Sequence, residues 1–146
     1  MVAMNITSKA NGCLRILLRM VNTFPDKPVH AEELSKELGI TIKYIQQLLL
    51  LLKNEGLINS KKGPRGGYTL AVDPEQIVLG DALRKVESLS FPLSTLESDC
   101  KSEDVFDKIW CEVGEAISEI LDSVSFAELD DIQRQSRMGS ALQYYI

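Results

Sequence analysis

The sequence predicts a mostly α-helical fold with a small β-hairpin wing, that is, a winged helix-turn-helix domain followed by a long dimerisation helix. Three observations support this prediction. Two helical patterns flank a glycine within residues 30–55, and two short alternating segments then surround a basic, glycine-rich tip. One apolar stripe with helical spacing runs through residues 103–124. We assign 1–87 to the winged domain, 88–102 to a sensor or linker loop, and 103–146 to the dimerisation helix and C-terminal segment.

The first helix is predicted from Ile6 to Phe24, with Ser8 as its cap. Lys9 lies at the helix start, where a cation and free backbone N–H groups can hold a phosphate together. Gly12 is unusual inside a helix, because glycine there costs up to ~1 kcal/mol relative to alanine. Its presence suggests a close contact with another helix.

A helix-turn-helix is predicted next. Leu34 and Leu38 share one face of the first helix, which Gly39 ends because glycine tolerates the left-handed conformation. The second helix has an apolar face at the i, i+3, i+4 and i+7 positions, and its other face carries polar groups that suit bases and phosphates. These candidate DNA-binding residues are Thr41, which also caps the helix, Lys43, Tyr44 and Gln47. Any exposed helix has a polar face, so this interpretation depends on the segment that follows.

That segment predicts a hairpin wing, with strands at Leu57–Lys61 and Tyr68–Ala71. Its cations, Lys61, Lys62 and Arg65, lie beside glycines such as Gly66 that let a backbone approach a phosphate, and arginine suits a narrow minor groove. The tip matches neither the nucleotide P-loop nor the dinucleotide fingerprint. In a winged helix the second helix enters the major groove and the wing reaches the flanking backbone or minor groove, which predicts DNA binding.

The strongest helical pattern runs from Glu103 to Val124, and its opposite face is acidic. A helix of about 22 residues spans ~33 Å, longer than a small domain covers alone, so we expect it to pair with a second copy. The residues assigned to dimerisation are Val105, Ile109, Trp110, Val113, Ile117, Ile120 and Val124. A short closing helix is expected from Phe126 to Gln135.

Charge is divided unevenly along the chain of 146 residues, whose net charge is −5. Residues 1–72 contain ten Lys or Arg and five Asp or Glu, a balance of +5, whereas residues 73–146 contain six and sixteen, a balance of −10. A basic half beside an acidic half is typical of a phosphate-binding domain joined to a separate module. No apolar run approaches the ~20 residues of a membrane span, so we expect a cytoplasmic protein without a membrane partner.

These motifs resemble the family of winged-helix repressors that includes IscR, NsrR and CymR. The resemblance rests on the start of the second helix at Gly39-Ile40-Thr41, the wing sequence at residues 62–70, and Ile77-Val78-Leu79-Gly80-Asp81. It implies a homodimer on a pseudo-palindromic operator, with the long helix as the dimerisation helix. Two departures are the lysine at position 62, where the family usually has arginine, and Gly12, where many members carry an aromatic residue.

The resemblance also bears on sensing, because IscR-like members hold an iron–sulfur cluster with three cysteines in and just after the loop before the dimerisation helix. Here that loop contains only Cys100, the possible sensor, and the expected positions of the last cysteine and a nearby histidine fall at Asp104 and Asp107. Carboxylates suit iron–sulfur chemistry poorly. We therefore predict no cofactor and no metal site, and a cluster is disfavoured.

Two other functions are alternatives to a DNA-binding regulator. A winged helix used only for protein interaction would show no salt-dependent affinity for DNA. An enzyme is poorly supported, since the sequence has no nucleophile–base pair and no cofactor loop, and no catalytic residue is assigned. The signal stays open among a thiol reaction at Cys100, a small-molecule effector, a protein partner and a cluster shared across the dimer.

Overall fold

The computed structural model describes residues 6–87 and 103–145, with side chains up to residue 140. The predicted loop at 88–102, with Cys100, lies outside the described residues. The described residues form six helices and a two-stranded sheet. The elements are α1 (Ser8–Val21), α2 (Ala31–Leu38), α3 (Ile42–Asn54), β1 (Ile58–Lys61), β2 (Gly67–Leu70), α4 (Leu79–Val86), α5 (Val105–Asp122) and α6 (Phe126–Tyr145). A mostly helical fold with a hairpin is therefore confirmed.

One hydrophobic core joins the N-terminal helices to the start of α6. Ile16 and Leu17 of α1 and Leu49 of α3 are fully buried, and Phe126 is 1% exposed in the same core. Burial of each such side chain contributes about 1.5–3 kcal/mol. Through Phe126 the C-terminal segment packs directly on the winged domain.

The helix caps explain where the helices begin and end. Thr7, and not Ser8, caps α1, since the Thr7 hydroxyl oxygen accepts a hydrogen bond from the Ala10 N–H at 3.2 Å. Thr41 caps α3 as predicted, and Gly39 ends α2 with a φ of 66°. The positions of α2 and α3 therefore match the predicted helix-turn-helix.

The wing is an antiparallel hairpin in which Ile58 pairs with Leu70 and Lys61 pairs with Gly67. Both strands lie within one residue of their predicted positions. Val29 pairs with Tyr68 on the other edge of β2, so the segment before α2 extends the hairpin. This pairing fixes the wing against the helix-turn-helix.

Gly12 occupies the predicted close contact between helices. A Cβ atom at this position would lie 2.6 Å from Cδ1 of Leu48, which is inside van der Waals contact. The absence of a side chain thus lets α3 pack directly against α1.

The C-terminal helices differ in length from their predictions. Helix α5 has 18 residues because Asp104 caps it and the helix ends at Asp122, before Val124. Helix α6 begins at Phe126 as predicted but continues to Tyr145, well past Gln135. No helix in the described ranges has both the length and the apolar character that a membrane span requires.

Candidate nucleic-acid interface

The face of α3 that points away from the core is formed by residues at i, i+3, i+4 and i+7. Ile45, Leu48, Leu49 and Leu52 are buried on the opposite face, so the exposed face is fixed by packing. Its members are Lys43, Gln46, Gln47 and Leu50. Of the other residues assigned to DNA from the sequence, Thr41 is exposed at the cap and Tyr44 is half-buried at the edge of this face.

The sequence pattern does not single out two members of this face, Gln46 and Leu50. Leu50 belongs to a run of five leucines, and only the packing shows that its side chain is 58% exposed while Leu48, Leu49 and Leu52 are buried. The only indication in the sequence that Leu50 shares the exposed face is its helical spacing, since it lies three residues after Gln47 and seven after Lys43. A large apolar side chain in a polar face is suited to contact with a thymine methyl group.

The wing presents its three predicted cations, Lys61, Lys62 and Arg65, on the exposed surface. Gly66 is different, because it is buried and its N–H donates a hydrogen bond to the Gly63 carbonyl at 2.9 Å. A Cβ atom at Gly66 would collide with the Lys61 carbonyl oxygen. Gly66 therefore shapes the turn that presents the cations, and its N–H is already engaged within the turn.

A cleft of about 510 Å³ lies between the turn of the wing and the segment that precedes α2. Lys61 and Arg65 line it from the hairpin, and Lys27 and His30 line it from the segment that precedes α2. Lys27, which also forms an ion pair with Glu33 at 3.8 Å, thus lines the same cleft as two wing cations, although it is far from them in sequence. This grouping adds Lys27 and His30 to the surface that can meet a phosphate backbone.

Lys9 is half-buried at the N-terminus of α1. The buried carboxylate of Glu87 accepts a hydrogen bond from the Thr7 hydroxyl at the same helix end. Two N–H groups of the first turn are already satisfied, since those of Ala10 and Asn11 donate to the hydroxyl and carbonyl oxygens of Thr7. Of the predicted DNA-binding cations, Lys9 is therefore the least exposed.

The apolar stripe of α5 is exposed in the single chain. Val105, Ile109, Trp110 and Ile120 are between 50% and 66% exposed, and Val113 is 39% exposed. Ile117 is half-buried, and Val124 lies beyond the helix end, where its carbonyl accepts a hydrogen bond from Leu79 N–H at 2.8 Å. The stripe on α5 thus leaves several large apolar side chains of one helix exposed.

The cysteines of the described residues differ in chemistry. Cys13 is fully buried and free, and burial raises the pKa of its thiol to about 11, although the nearby charge of Lys9 opposes this rise. Cys13 therefore stays protonated near neutral pH and is a poor nucleophile. Cys111 is buried on α5 and takes part in a disulfide.

Asp104, where the resemblance places the last cluster cysteine, has a structural role in this chain. The Asp104 carboxylate caps α5 by accepting hydrogen bonds from the N–H groups of Phe106 and Asp107, at 2.8 and 3.4 Å. Among the residues that the structure describes, no group of three His, Cys, Asp or Glu side chains could hold a metal ion. Asp104 thus acts as the N-cap of α5.

Comparison with known proteins identifies relatives of this architecture. Residues 6–131 match the family model of Rrf2, described as an iron-dependent transcriptional regulator. The chain is 29% identical over 126 residues to the HTH-type transcriptional regulator CymR of Bacillus subtilis, covering 86% of this chain and 89% of that protein. It is 31% identical over 129 residues to the HTH-type transcriptional regulator IscR of Yersinia enterocolitica, covering 86% and 79% of the two proteins.

Solved structures show the same fold. The structure of CymR, the global cysteine regulator of B. subtilis, aligns with a TM-score of 0.77 and 27% identity over 89% of this chain and 98% of that one. The structure of T. potens IscR aligns with a TM-score of 0.77 and 26% identity, covering 92% of this chain and 91% of that one.

Proposed function

We propose, on the premise that the chain belongs to the Rrf2 family and is a DNA-binding transcriptional regulator, that it acts as a homodimeric repressor on a pseudo-palindromic operator. The observation that carries the proposal is the combination of an exposed polar face on α3, a cationic wing beside it in the fold, and an exposed apolar stripe on α5. The relatives described above are transcriptional regulators, which favours this function over a winged helix used only for protein contacts.

On the DNA, α3 enters the major groove with its exposed face toward the base edges. Gln46 and Gln47 carry the paired donor and acceptor that adenine recognises, and Lys43 can reach guanine or a phosphate. Leu50 contacts a thymine methyl group on the same face. Phosphate contacts by Lys61, Lys62 and Arg65 then fix the position of α3 without reading the sequence.

Dimerisation follows from the apolar stripe of α5. A monomer would leave Val105, Phe106, Ile109, Trp110 and Ile120 in water, each at least half exposed. Packing the same stripe of two copies against each other buries these side chains in an isologous, two-fold interface. A two-fold dimer presents two α3 helices, and its operator therefore has two related half-sites.

Selection from a pool of random DNA tests the proposal. We expect the wild-type chain to enrich a pseudo-palindrome whose half-sites lie about one or two helical turns apart. Enrichment of a single unpaired half-site, or of no sequence at all, would contradict the proposed dimeric operator.

We also propose a thiol-based signal, supported by the disulfide of Cys111. Cys100 is the proposed sensor thiol, because it lies in the sequence just before α5 and Cys13 is buried and free. Oxidation by hydrogen peroxide would remove one hydrogen from each of two thiols, form an S–S bond and reduce the peroxide to two water molecules. A disulfide at the dimerisation helix would change the constraints on the dimer that binds DNA.

Oxidation of purified protein tests this signal. We expect hydrogen peroxide to weaken operator binding by the wild type and to leave Cys100→Ser unaffected, with a mass change of two hydrogens in the wild type alone. Equal responses of the two proteins would rule out Cys100 as the sensor. An iron–sulfur chromophore that survives Cys100→Ser would do the same.

A further inference from the structure

A cavity of about 590 Å³ opens between α1, α2 and α6, and none of its lining residues belongs to α3 or to the wing. Its volume lies within the range of about 300–1,000 Å³ that is usual for small-molecule sites. Three guanidinium groups line it, from Arg15 and Arg19 of α1 and Arg137 of α6, together with the carboxylate of Glu37. Apolar and amide groups complete the walls, supplied by Leu18, Leu38, Asn22 and Gln133.

One of the three arginines is already neutralised. Arg19 donates from Nε to Oε2 of Glu37 at 2.5 Å and from Nη2 to Oε1 at 3.0 Å, a two-point ion pair. These hydrogen bonds raise the pKa of Arg19 and lower that of Glu37, so both groups stay charged and paired. The pair forms a fixed wall between α1 and α2.

The other two arginines keep their charge available. Arg15 donates only from Nε, to Oδ1 of Asn11 at 3.1 Å, and its terminal nitrogens are not used in that bond. Within the described part of the chain, neither Arg15 nor Arg137 forms an ion pair. Two exposed cations from different helices therefore face one cavity without a carboxylate of their own.

We propose that this cavity binds a small organic anion whose carboxylate or phosphate group pairs with Arg15 and Arg137. Guanidinium groups recognise both anions through pairs of parallel hydrogen bonds, which gives the site its specificity for planar or tetrahedral oxyanions. Leu18 and Leu38 provide the surface for an apolar part of the same molecule.

The position of the cavity gives the anion a regulatory role, which rests on the proposed function. Arg15 belongs to α1, which packs against the DNA-reading helix α3 at Gly12, whereas Arg137 belongs to α6, which follows the dimerisation helix. An anion held by both arginines would add a bridge between α1 and α6, which already pack against each other, and so would favour one arrangement of the two helices. Binding in the cavity and binding to DNA are then linked, and each changes the affinity of the other by the same factor.

Calorimetric titration of the full chain tests the site, with succinate and inorganic phosphate as probes at constant ionic strength. We expect saturable binding of at least one probe. The Arg15→Gln/Arg137→Gln double variant should raise the Kd by about tenfold or more, because it removes charge-assisted hydrogen bonds. Lys36→Gln/Lys108→Gln is the matched control, since it removes the same charge from exposed positions outside the cavity and should leave the Kd unchanged.

Three results would overturn the proposal. The first is no saturable binding of either probe, and the second is equal binding by the wild type and the arginine double variant. The third is a weaker salt dependence of DNA binding in the arginine double variant without any added anion, which would assign Arg15 and Arg137 to DNA phosphates. Because the calorimetric titration contains no DNA, a failure of DNA binding would not be confused with a failure of the anion site.

Discussion

Gln46 and Gln47 are neighbours on the exposed face of α3. The donor and acceptor of either side-chain amide complement the acceptor and donor that adenine presents in the major groove. The sequence pattern selected only Gln47. At the scale of single residues, exposure decides which side chains are free to recognise DNA, and this depends on the packing of Leu48 and Leu49 beneath them. For the same reason Leu50 could not be separated from the other leucines without a structure.

Substitution of Gln47 separates base reading from phosphate binding. If Gln47 reads a base, Gln47→Ala should lose about 1–3 kcal/mol of discrimination at one operator position. Lys62→Ala in the wing should instead weaken binding to every sequence about equally. Fluorescence anisotropy with the operator and its single-base variants measures both effects. An equal loss on cognate and random DNA for Gln47→Ala would exclude its assignment to base reading.

The chemistry of Cys13 also depends on its surroundings and not on its type. Sequence identifies a thiol, but only the structure shows it fully buried, with its pKa raised by burial to about 11. Burial keeps the proton in place, so Cys13 is expected to stay unmodified under conditions that oxidise an exposed thiol.

At the scale of elements, local signals predicted most of the N-terminal fold. Gly39, Thr41 and the leucine spacing placed α2 and α3, because each cap and each helix face depends on residues within one turn. The sequence pattern ends α6 at Gln135, ten residues before its observed end at Tyr145. At the start of α6, Ser125 and Glu128 form a reciprocal capping box, with N–H to side-chain distances of 2.8 and 3.2 Å. The box marks the start of a helix but carries no information on its end.

The joint between α4 and α5 depends on contacts that are distant in sequence. Arg84 donates from Nη1 and Nη2 to the two carboxylate oxygens of Asp122, at 2.8 and 3.0 Å, and these bonds lower the pKa of Asp122. A Cβ atom at Gly80 would collide with the Asp122 carboxylate. Any side chain at position 80 would thus force an ion-pair partner 42 residues away, counted from position 80 to position 122, to shift, and spacing cannot reveal this.

Gly80→Ala should therefore destabilise the protein by about 1–3 kcal/mol, the usual cost of overpacking. Gly139→Ala is the matched control, because a Cβ atom at that exposed helix position meets nothing within 4 Å. It should stabilise the protein by up to about 1 kcal/mol through the higher helix propensity of alanine. Urea unfolding followed by circular dichroism gives both values. Similar effects of the two substitutions would show that Gly80 has no special packing role.

At the scale of the whole molecule, a basic half and an acidic half of the chain both contribute to one hydrophobic core. The +5 of residues 1–72 and the −10 of residues 73–146 were readable from the sequence, and they agree with a DNA-binding end and an acidic C-terminal segment. The sequence did not show that α6 returns to pack on α1 and forms the arginine-lined cavity with it. Contacts of this kind join residues more than 100 positions apart, and no local periodicity encodes them.

Ile120→Lys tests the role of α5 in dimerisation. Ile120 is 66% exposed in the single chain, so lysine there should leave the monomer folded but place an unpaired charge in the proposed interface. We expect the substitution to cost several kcal/mol of association, about 3–5 kcal/mol for an uncompensated buried charge, and sedimentation velocity should show mainly monomer. Glu115→Lys on the exposed acidic face is the control. A dimer that withstands Ile120→Lys would place the interface elsewhere.

The salt dependence of operator binding is the most direct test of the claim that the protein binds DNA through α3 and the wing. The logarithm of the association constant should fall linearly with the logarithm of salt concentration, with a slope of roughly −0.9 per phosphate neutralised. Lys62→Gln/Arg65→Gln should reduce that slope by about 1.8 per wing, whereas Lys36→Gln/Lys108→Gln, with the same loss of charge elsewhere, should leave it unchanged. A flat salt response, or equal slopes for the wild type and the wing variant, would contradict the account.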